Sequence, residues 1–228
     1  MKNPKIFPCK NCENCKAKEI LSISDLSEEQ TKKLQKRTRY LQCKKGDVIF
    51  QQGDPVDAIY VITKGRIKLT RYDAEGREQI VGIFAEGETI WEGVVQDDSH
   101  FPFSGISLTS SRICVIYKED FMEILRNPNT ALQTVALLSK KLHDANERNI
   151  LLSTKDPKVQ VASFLLYRKR RSEGNEIDLT LDDIAGSLGI RAETVSRKLK
   201  ELMNEGYIKR TGKSSIEILN YEGLENLS

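Results

Sequence analysis

The sequence predicts an α+β protein, with a β-rich first half, one long helix, and a small helical domain that ends in a β-hairpin. Short β-prone runs between residues 40 and 120 are separated by turns, and three of their glycines recur every 11 residues. Apolar residues from 131 to 152 repeat at helical spacing. Residues 181–202 have the pattern of two short helices joined by a glycine turn.

The composition is that of a folded chain with a mild positive charge. Of 228 residues, 39% are hydrophobic and 30% are charged, and the net charge is +3. Residues 1–45 carry +7 (12 basic, 5 acidic) and residues 155–213 carry +4 (13 basic, 9 acidic), so both ends suit phosphate contacts. With no run of 18 apolar residues and no signal-peptide pattern, we expect a cytoplasmic protein that does not bind membranes. With two histidines and no catalytic constellation, we do not expect an enzyme.

The N-terminal segment contains Cys9, Cys12 and Cys15, which have the spacing C-x2-C-x2-C. In an intracellular protein such clustering indicates metal or redox chemistry rather than structural disulfides. Three thiolates are one fewer than a tetrahedral zinc site or a four-iron cluster requires. Cys43 and Cys114 are the remaining candidates.

A short helix is predicted over residues 22–36, and the region after it is predicted to be all β. Cys43 stands alone in one β-prone run and is interpreted as a small core residue. Even spacing of strands and turns favours a barrel, sandwich or roll. The other β-prone runs are Val48–Phe50, Ile59–Ile62, Ile67–Leu69, Gln79–Phe84 and Ile113–Tyr117.

The long helix carries an a/d stripe over about three heptads, and this stripe predicts a homodimer. Apolar residues off the stripe are expected to pack on the chain's own β domain, so the stripe is left for a second subunit. The stripe is formed by Ala131, Val135, Leu138, Leu142, Ala145, Asn149 and Leu152. The off-stripe residues are Leu132, Leu137, Ile150 and Leu151.

A second domain is expected after Pro157, which interrupts the long helix. In it, Ala185, Gly189 and Val195 lie 4 and 6 residues apart, the spacing of a helix-turn-helix. Val195 is followed at i+4 and i+7 by Leu199 and Leu202, so these three side chains should face the core.

Another face of the second helix predicts recognition of DNA bases. Glu193, Ser196 and Arg197 follow i, i+3, i+4, and these residue types pair with cytosine, with either base edge, and with guanine. Thr194 is a further candidate contact. A β-hairpin wing around residues 210–213 should place Lys213 against the phosphate backbone.

This order of elements resembles the CRP/FNR family of bacterial transcription regulators over the whole chain. The stretches that carry the resemblance are Lys45–Asp54, Gly65–Leu69, Gly76–Gln79, Phe84–Glu88 and Glu193–Arg197. The resemblance implies a cyclic-nucleotide-binding-like β-roll over residues 23–128, after a Cys-rich segment at 1–22. It further implies a dimerisation helix at 129–154 and a winged helix-turn-helix at 155–228.

The last of these motifs is similar to the FNR branch of the family. It implies a palindrome with TTGAT-like half-sites read by Glu193, Ser196 and Arg197, with RNA polymerase as a further partner. Arg191 precedes the recognition helix where the family often has Thr or Ser, so a helix cap is lost while a phosphate contact is available.

The resemblance also bears on the effector. Glu92 matches a glutamate with which the family binds cyclic AMP, but no arginine precedes Ser104 to pair with the cyclic phosphate. We therefore expect no cyclic AMP binding. Another small-molecule effector in the β-roll, with a purely structural cysteine site, is the alternative.

Cys114 aligns with the internal cluster-ligating cysteine of FNR, so the resemblance implies a [4Fe-4S] cluster on Cys9, Cys12, Cys15 and Cys114 and control by oxygen or redox state. The FNR spacing is C-x2-C-x5-C, from which this chain departs. A disulfide between an N-terminal cysteine and Cys114, and a structural zinc, therefore stay open. An iron–sulfur redox protein that binds no DNA is a further alternative.

Overall fold

The computed structural model describes residues 4–9, 17, 20–21, 28–76, 78–91, 93–170, 176–212 and 214–227. The chain forms two compact units, Met1–Arg77 with Val81–Lys140, and Glu78–Ile80 with Lys141–Ser228. The predicted α+β class is confirmed. None of the helices in these ranges is both long and apolar enough to cross a membrane.

The first unit is built on two antiparallel sheets, with orders β1-β2-β9-β4-β7 and β3-β8-β5-β6, except that the first three residues of β6 belong to the second unit. Their strands are β1 Lys5–Pro8, β2 Arg39–Cys43, β3 Val48–Phe50, β4 Ala58–Lys64, β5 Arg66–Tyr72, β6 Glu78–Ala85, β7 Thr89–Ile90, β8 Ser104–Ser107 and β9 Ser111–Tyr117. Rings from both sheets meet in the core, where Phe50 lies 5.2 Å from Tyr60 and 3.9 Å from Phe101.

Each β-prone run identified in the sequence forms a strand in the structure. Strands β1, β7 and β8 were not predicted. Strand β8 contains Gly105, which weakens the sequence signal for a strand. The structure explains this glycine, because a Cβ there would lie 2.7 Å from the Phe50 ring. Strand β1 is held by pairing with β2, a long-range contact that its own four residues do not signal.

Three helices whose bounds are described accompany this unit, and Ala17 and Ile20 are also helical. The three helices are α1 Glu28–Arg37, α2 Lys118–Ile124 and α3 Pro128–Ser153, and the last of these continues into the second unit. The predicted helix over residues 22–36 is thus present from Glu28, and residues 22–27 lie outside the described ranges. Arg37 at the end of α1 pairs with Asp120 at 3.0 Å and with Glu119 at 2.7 Å, joining α1 to α2.

The second unit contains the small helical domain. Helix α4 starts at Pro157, where the side chain of Asp156 accepts a hydrogen bond from the backbone N–H of Lys158. A three-stranded sheet of order β10-β12-β11 flanks the helices. The elements are α4 Pro157–Lys169, β10 Glu176–Asp178, α5 Leu181–Leu188, α6 Ala192–Asn204, β11 Ile208–Arg210, β12 Ser215–Ile218 and α7 Tyr221–Glu225.

Candidate nucleic-acid interface

The helix-turn-helix is fixed by local capping at both ends of α5. Thr180 accepts a hydrogen bond from the backbone N–H of Asp183, whose carboxylate accepts one from the backbone N–H of Thr180. This reciprocal capping box satisfies two backbone donors that the first turn leaves free. At the other end, Gly189 has φ +66°, a left-handed conformation that terminates the helix without a steric penalty.

The small and apolar residues predicted to join the two helices are buried. Ala185 is 7% exposed and Val195 is fully buried. Leu199 and Leu202 are also buried, so one face of α6 is committed to the core of this unit. The predicted turn, helix contact and apolar anchor are therefore confirmed.

The opposite face of α6 presents the predicted DNA-reading side chains to solvent. Glu193 and Arg197 are exposed, while Thr194 and Ser196 are half-buried. In the described part of the chain, Lys198 and Glu201 form the ion pair on this helix, at 2.8 Å, and neither Glu193 nor Arg197 takes part in one. The exposed side chains of Glu193 and Arg197 can therefore bind a ligand without first breaking an ion pair.

Arg191 occupies the N-cap position of α6 and its side chain makes no capping hydrogen bond, as the sequence predicts. Arg191 is exposed, and it adds a cation at a helix N-terminus, where unbonded N–H groups already favour a phosphate. Lys213 lies outside the described residues.

Two further exposed lysines near the predicted DNA-binding residues were not predicted from the sequence. Lys200 is exposed on α6 three residues after Arg197, so it extends the same face by one turn. Lys209 is exposed on β11 in the wing. The i+3 spacing from Arg197 could have identified Lys200, because residues three apart on a helix are neighbours.

The stripe of α3 is exposed. Val135, Leu138 and Leu142 are 57%, 46% and 64% exposed, and Ala145 and Asn149 are exposed as well. A row of large apolar side chains in water is unfavourable in a lone chain, so this face is suited to a partner helix.

The predicted packing on the chain's own β domain is right for Leu137 and wrong for Leu132 and Ile150, while Leu151 is buried but belongs to the second unit. Leu137 packs on the β core and Leu151 is buried, but Leu132 and Ile150 are 68% and 72% exposed. The reason is angular. At 100° per residue, Leu132 and Ile150 lie in one line, on the flank of the stripe that faces away from Leu137 and Leu151.

The cysteines were the second predicted site, and Cys12 and Cys15 lie outside the described residues. Cys9 is half-buried at the end of β1, where its backbone N–H donates to the carbonyl of Thr38 at 3.2 Å. Cys114 is 4% exposed on β9. No group of three or more metal-binding side chains occurs among the residues that the structure describes.

Cys43 lies on the opposite face of the sheet from Cys114. Tyr40 is the register partner of Cys114, so these two share a face, and Cys43 is three residues further along β2. Burial, with a contribution from Asp47, raises the pKa of the Cys43 thiol to about 12. The predicted core role of Cys43 is confirmed by its complete burial.

The stretch that the resemblance relates to effector binding, residues 101–105, contains two buried aromatic side chains. Phe101 and Phe103 are 2% and 6% exposed, and Phe101 stacks on Phe50. The hydroxyl of Ser104 accepts a 3.0 Å hydrogen bond from the backbone N–H of Gln52. Glu92 lies outside the described residues.

A β-roll, a long helix with an exposed apolar stripe and a capped helix-turn-helix define a DNA-binding protein. Residues 40–127 match the cyclic nucleotide-binding domain and residues 159–227 match the Crp-like helix-turn-helix domain. The chain belongs to the CRP/FNR family of transcription regulators.

Relatives of this chain include two regulators named for electron transport and for fumarate and nitrate reduction, and one named as a receptor for cyclic AMP. Electron transport regulator A of Shewanella oneidensis is 30% identical over 186 residues, which are 78% of this chain and 74% of the relative. The fumarate and nitrate reduction regulatory protein of Escherichia coli is 27% identical, over 96% and 90% of the two chains. The cyclic AMP receptor protein of Thermus thermophilus is 29% identical, over 80% and 85%.

Proposed function

We propose that this chain is a homodimeric regulator of the FNR type, whose affinity for a TTGAT-like palindrome depends on oxygen or redox state through its cysteines. The observation that carries the proposal is the position of Cys9. It directly follows β1, the edge strand of the sheet whose strand β9 bears the buried Cys114. The free base-reading face of α6 and the exposed stripe of α3 support the DNA and dimer parts.

The sheet register supports a bridging group rather than a direct bond between Cys9 and Cys114. Phe7 and Cys114 are both register partners of Tyr40, from opposite sides. Cys9 is therefore two strands and two residues from Cys114, about 12 Å between Cα atoms at ordinary sheet spacings. A disulfide requires Cα atoms about 4.4–6.8 Å apart. A bond between these two cysteines would thus need β1 to move.

The donor set fits an iron–sulfur cluster or zinc, since thiolates ligate both. Cys9, Cys12, Cys15 and Cys114 would hold it. An iron–sulfur cluster supplies sensitivity to oxygen when bound, whereas zinc supplies only a fixed crosslink. Ala17, just after the cysteines, is 2% exposed and belongs to the same buried cluster as Cys114, so both ends of the segment are anchored on the β-roll.

The connection to the dimer helix supports control of DNA binding. Strand β9, which carries Cys114, leads directly into α2, and α3 begins only four residues after α2 ends. The ion pair of Arg37 with Asp120 joins α2 to α1, the helix that follows the cysteine segment. A change at the cysteines thus has a short covalent and ionic path to the face where two subunits would meet.

Cyclic AMP is the effector named in one relative, and the roll argues against it here. The residue before Ser104 is the buried Phe103 rather than an arginine, so no cation stands there for the cyclic phosphate, and the Ser104 hydroxyl already accepts a hydrogen bond from the backbone. We expect no heat of binding above background when cyclic AMP is titrated into the protein in a calorimeter. Submicromolar affinity would contradict this part of the proposal.

The cofactor is tested by anaerobic purification. We expect a brown protein that absorbs at about 400 nm and contains about four iron atoms per subunit. A colourless protein with one zinc, or a disulfide seen on a diagonal gel, would replace the cluster by one of the two alternatives.

Control of DNA binding is tested by replacing Cys9, Cys12 and Cys15 together with serine. Binding to a TTGAT palindrome, measured with and without air, should lose its dependence on air. The matched control is Cys43→Ser, because this thiol lies on the other face of the sheet. Redox control that survives the triple replacement would favour a different effector in the roll. An absence of DNA binding in both conditions would favour an electron carrier.

A further inference from the structure

Arg148 joins the dimer helix to the helix-turn-helix and to the start of β6. One guanidinium nitrogen (Nη2) donates to the carbonyl of Ile80 at 2.7 Å and to the carbonyl of Ser187 at 3.2 Å. All three residues belong to the second unit. The side chain is half-buried, and loss of water around it lowers its pKa, with Tyr167 acting in the opposite sense. No carboxylate pairs with it in the described part of the chain.

Ser187 lies in the last turn of α5, where carbonyl groups have no helical N–H to bond. Its residue is 4% exposed, so this carbonyl has little access to water. A cation near a helix C-terminus is favoured by the helix dipole as well as by the hydrogen bond. Arg148 therefore satisfies a buried acceptor of the helix-turn-helix from the dimer helix.

Ile80 contacts both Arg148 and helix α5. It is 3% exposed, and a Cβ built on Gly186 would lie 3.0 Å from its Cγ1 and Cδ1 atoms. The side chain thus packs directly on the backbone of α5, while its carbonyl accepts from Arg148. One planar guanidinium between two backbone carbonyls sets the distance from α3 to both partners at once.

We propose that Arg148 is a positioning residue for DNA recognition, which sets the orientation of α5, and through it of α6, relative to the dimerisation helix. The inference rests on the proposed function as a dimeric DNA-binding regulator. Two recognition helices must meet major grooves about 34 Å apart. Rotation of α5 about α3 changes that separation, so the residue that fixes α5 determines which half-site spacing is read.

The test compares Arg148→Met with the wild-type chain on four duplexes. One is an inverted repeat of two TTGAT half-sites at the optimal spacing, two have one base pair added or removed, and one has a single half-site. We expect Arg148→Met to bind the best palindrome about tenfold more weakly, to discriminate less between spacings, and to bind the single half-site as before. Lys140→Met, exposed on the same helix, is the matched control and should change none of these.

A second variant, Gly186→Ala, perturbs the same contacts without removing the positive charge of Arg148. Gly186→Ala favours the helix but displaces Ile80, so it should lower spacing discrimination in the same way. The proposal is overturned if both variants keep the wild-type spacing preference. An equal loss on half-site and palindrome would also overturn it, because that result reports damage to the fold rather than to the orientation.

Hydrogen exchange separates this inference from the proposed function. If the wild-type chain binds none of the duplexes, the regulator proposal fails, but exchange at residues 181–188 still decides the role of Arg148. Faster exchange there in Arg148→Met, with residues 157–169 unchanged, supports the junction. Equal exchange in both proteins rules it out.

Discussion

The side-chain amide of Gln160 donates a 2.6 Å hydrogen bond to the carbonyl oxygen of Thr154, across the break between α3 and α4. The same nitrogen lies 3.3 Å from the carbonyl oxygen of Leu152, in the last turn of α3. Gln160 is 7% exposed. Helix α3 therefore ends in carbonyls that are satisfied by a side chain of the next helix, and these hydrogen bonds connect the two sides of the break between α3 and α4.

Gln160→Leu should destabilise the second unit, which contains α4 and the helix-turn-helix. The substitution keeps the approximate volume but leaves two carbonyls without their donor, at a cost of about 1–3 kcal/mol. Urea unfolding followed by circular dichroism measures the change. Gln52→Leu is the control, since that exposed side chain should matter by less than about 0.5 kcal/mol. Equal midpoints for both variants would show that the bond contributes nothing.

The helix-turn-helix could be predicted from the sequence because its determinants are local. The turn needs a residue that tolerates positive φ, and Gly189 supplies it. The helix contact needs a small residue and an apolar anchor, and Ala185 and Val195 lie at the required spacing. The same local character explains why the exposed face of Glu193 and Arg197 was predicted correctly.

The junctions between elements could not be predicted, because they depend on contacts between distant residues. Nothing in the sequence around Arg148 indicates that its partners are the carbonyls of Ile80 and Ser187, 68 and 39 residues away. The sequence of β1 gives no sign of its pairing with β2. Leu132 and Ile150 were assigned to the wrong flank because a heptad pattern identifies a stripe but not which flank meets the chain's own domain.

Gly189→Ala should destabilise the helix-turn-helix although no atom stands in the way of the added methyl group. A Cβ at this position has nothing within 4 Å, so the cost is conformational. A non-glycine residue at φ +66° costs about 1–2 kcal/mol. Thermal unfolding measures this loss, and Gly189→Asn should lose less because Asn tolerates this region better. An alanine variant as stable as the wild type would contradict the assigned backbone conformation.

Arg197→Ala should weaken binding to a TTGAT palindrome by about 1–3 kcal/mol and relax the preference for guanine at one position of each half-site. Lys213→Ala should instead weaken all sequences alike and reduce the dependence on salt, as expected for a phosphate contact. Anisotropy titrations against duplexes substituted at each position distinguish the two patterns. A uniform loss for Arg197→Ala would remove it from the base-reading set.

Leu142→Glu should convert the dimer into a folded monomer. Leu142 is 64% exposed in the single chain, so a carboxylate there stays hydrated in the monomer but would be buried against its own copy in a dimer. Light scattering on a sizing column gives the mass, which should fall from twice 25.9 kDa to 25.9 kDa. Lys140→Glu, exposed off the stripe, should leave the dimer intact. A dimeric Leu142→Glu would place the interface elsewhere.

Cys43 should resist alkylation at a pH where Cys9 reacts. Burial raises the pKa of Cys43 from 9.0 to about 12, so hardly any thiolate forms at pH 8, and the side chain is also inaccessible. Iodoacetamide labelling of reduced, metal-free protein followed by mass spectrometry compares the two sites.

The raised pKa of Cys43 also makes stability depend on pH. In the unfolded chain the Cys43 thiol ionises near pH 9, whereas in the folded chain it keeps its proton. This group therefore makes folding less favourable as pH rises from about 9 to about 12. Cys43→Ala should reduce that loss of stability at alkaline pH. Rapid labelling of Cys43 in the folded protein would mean that the sheet opens there.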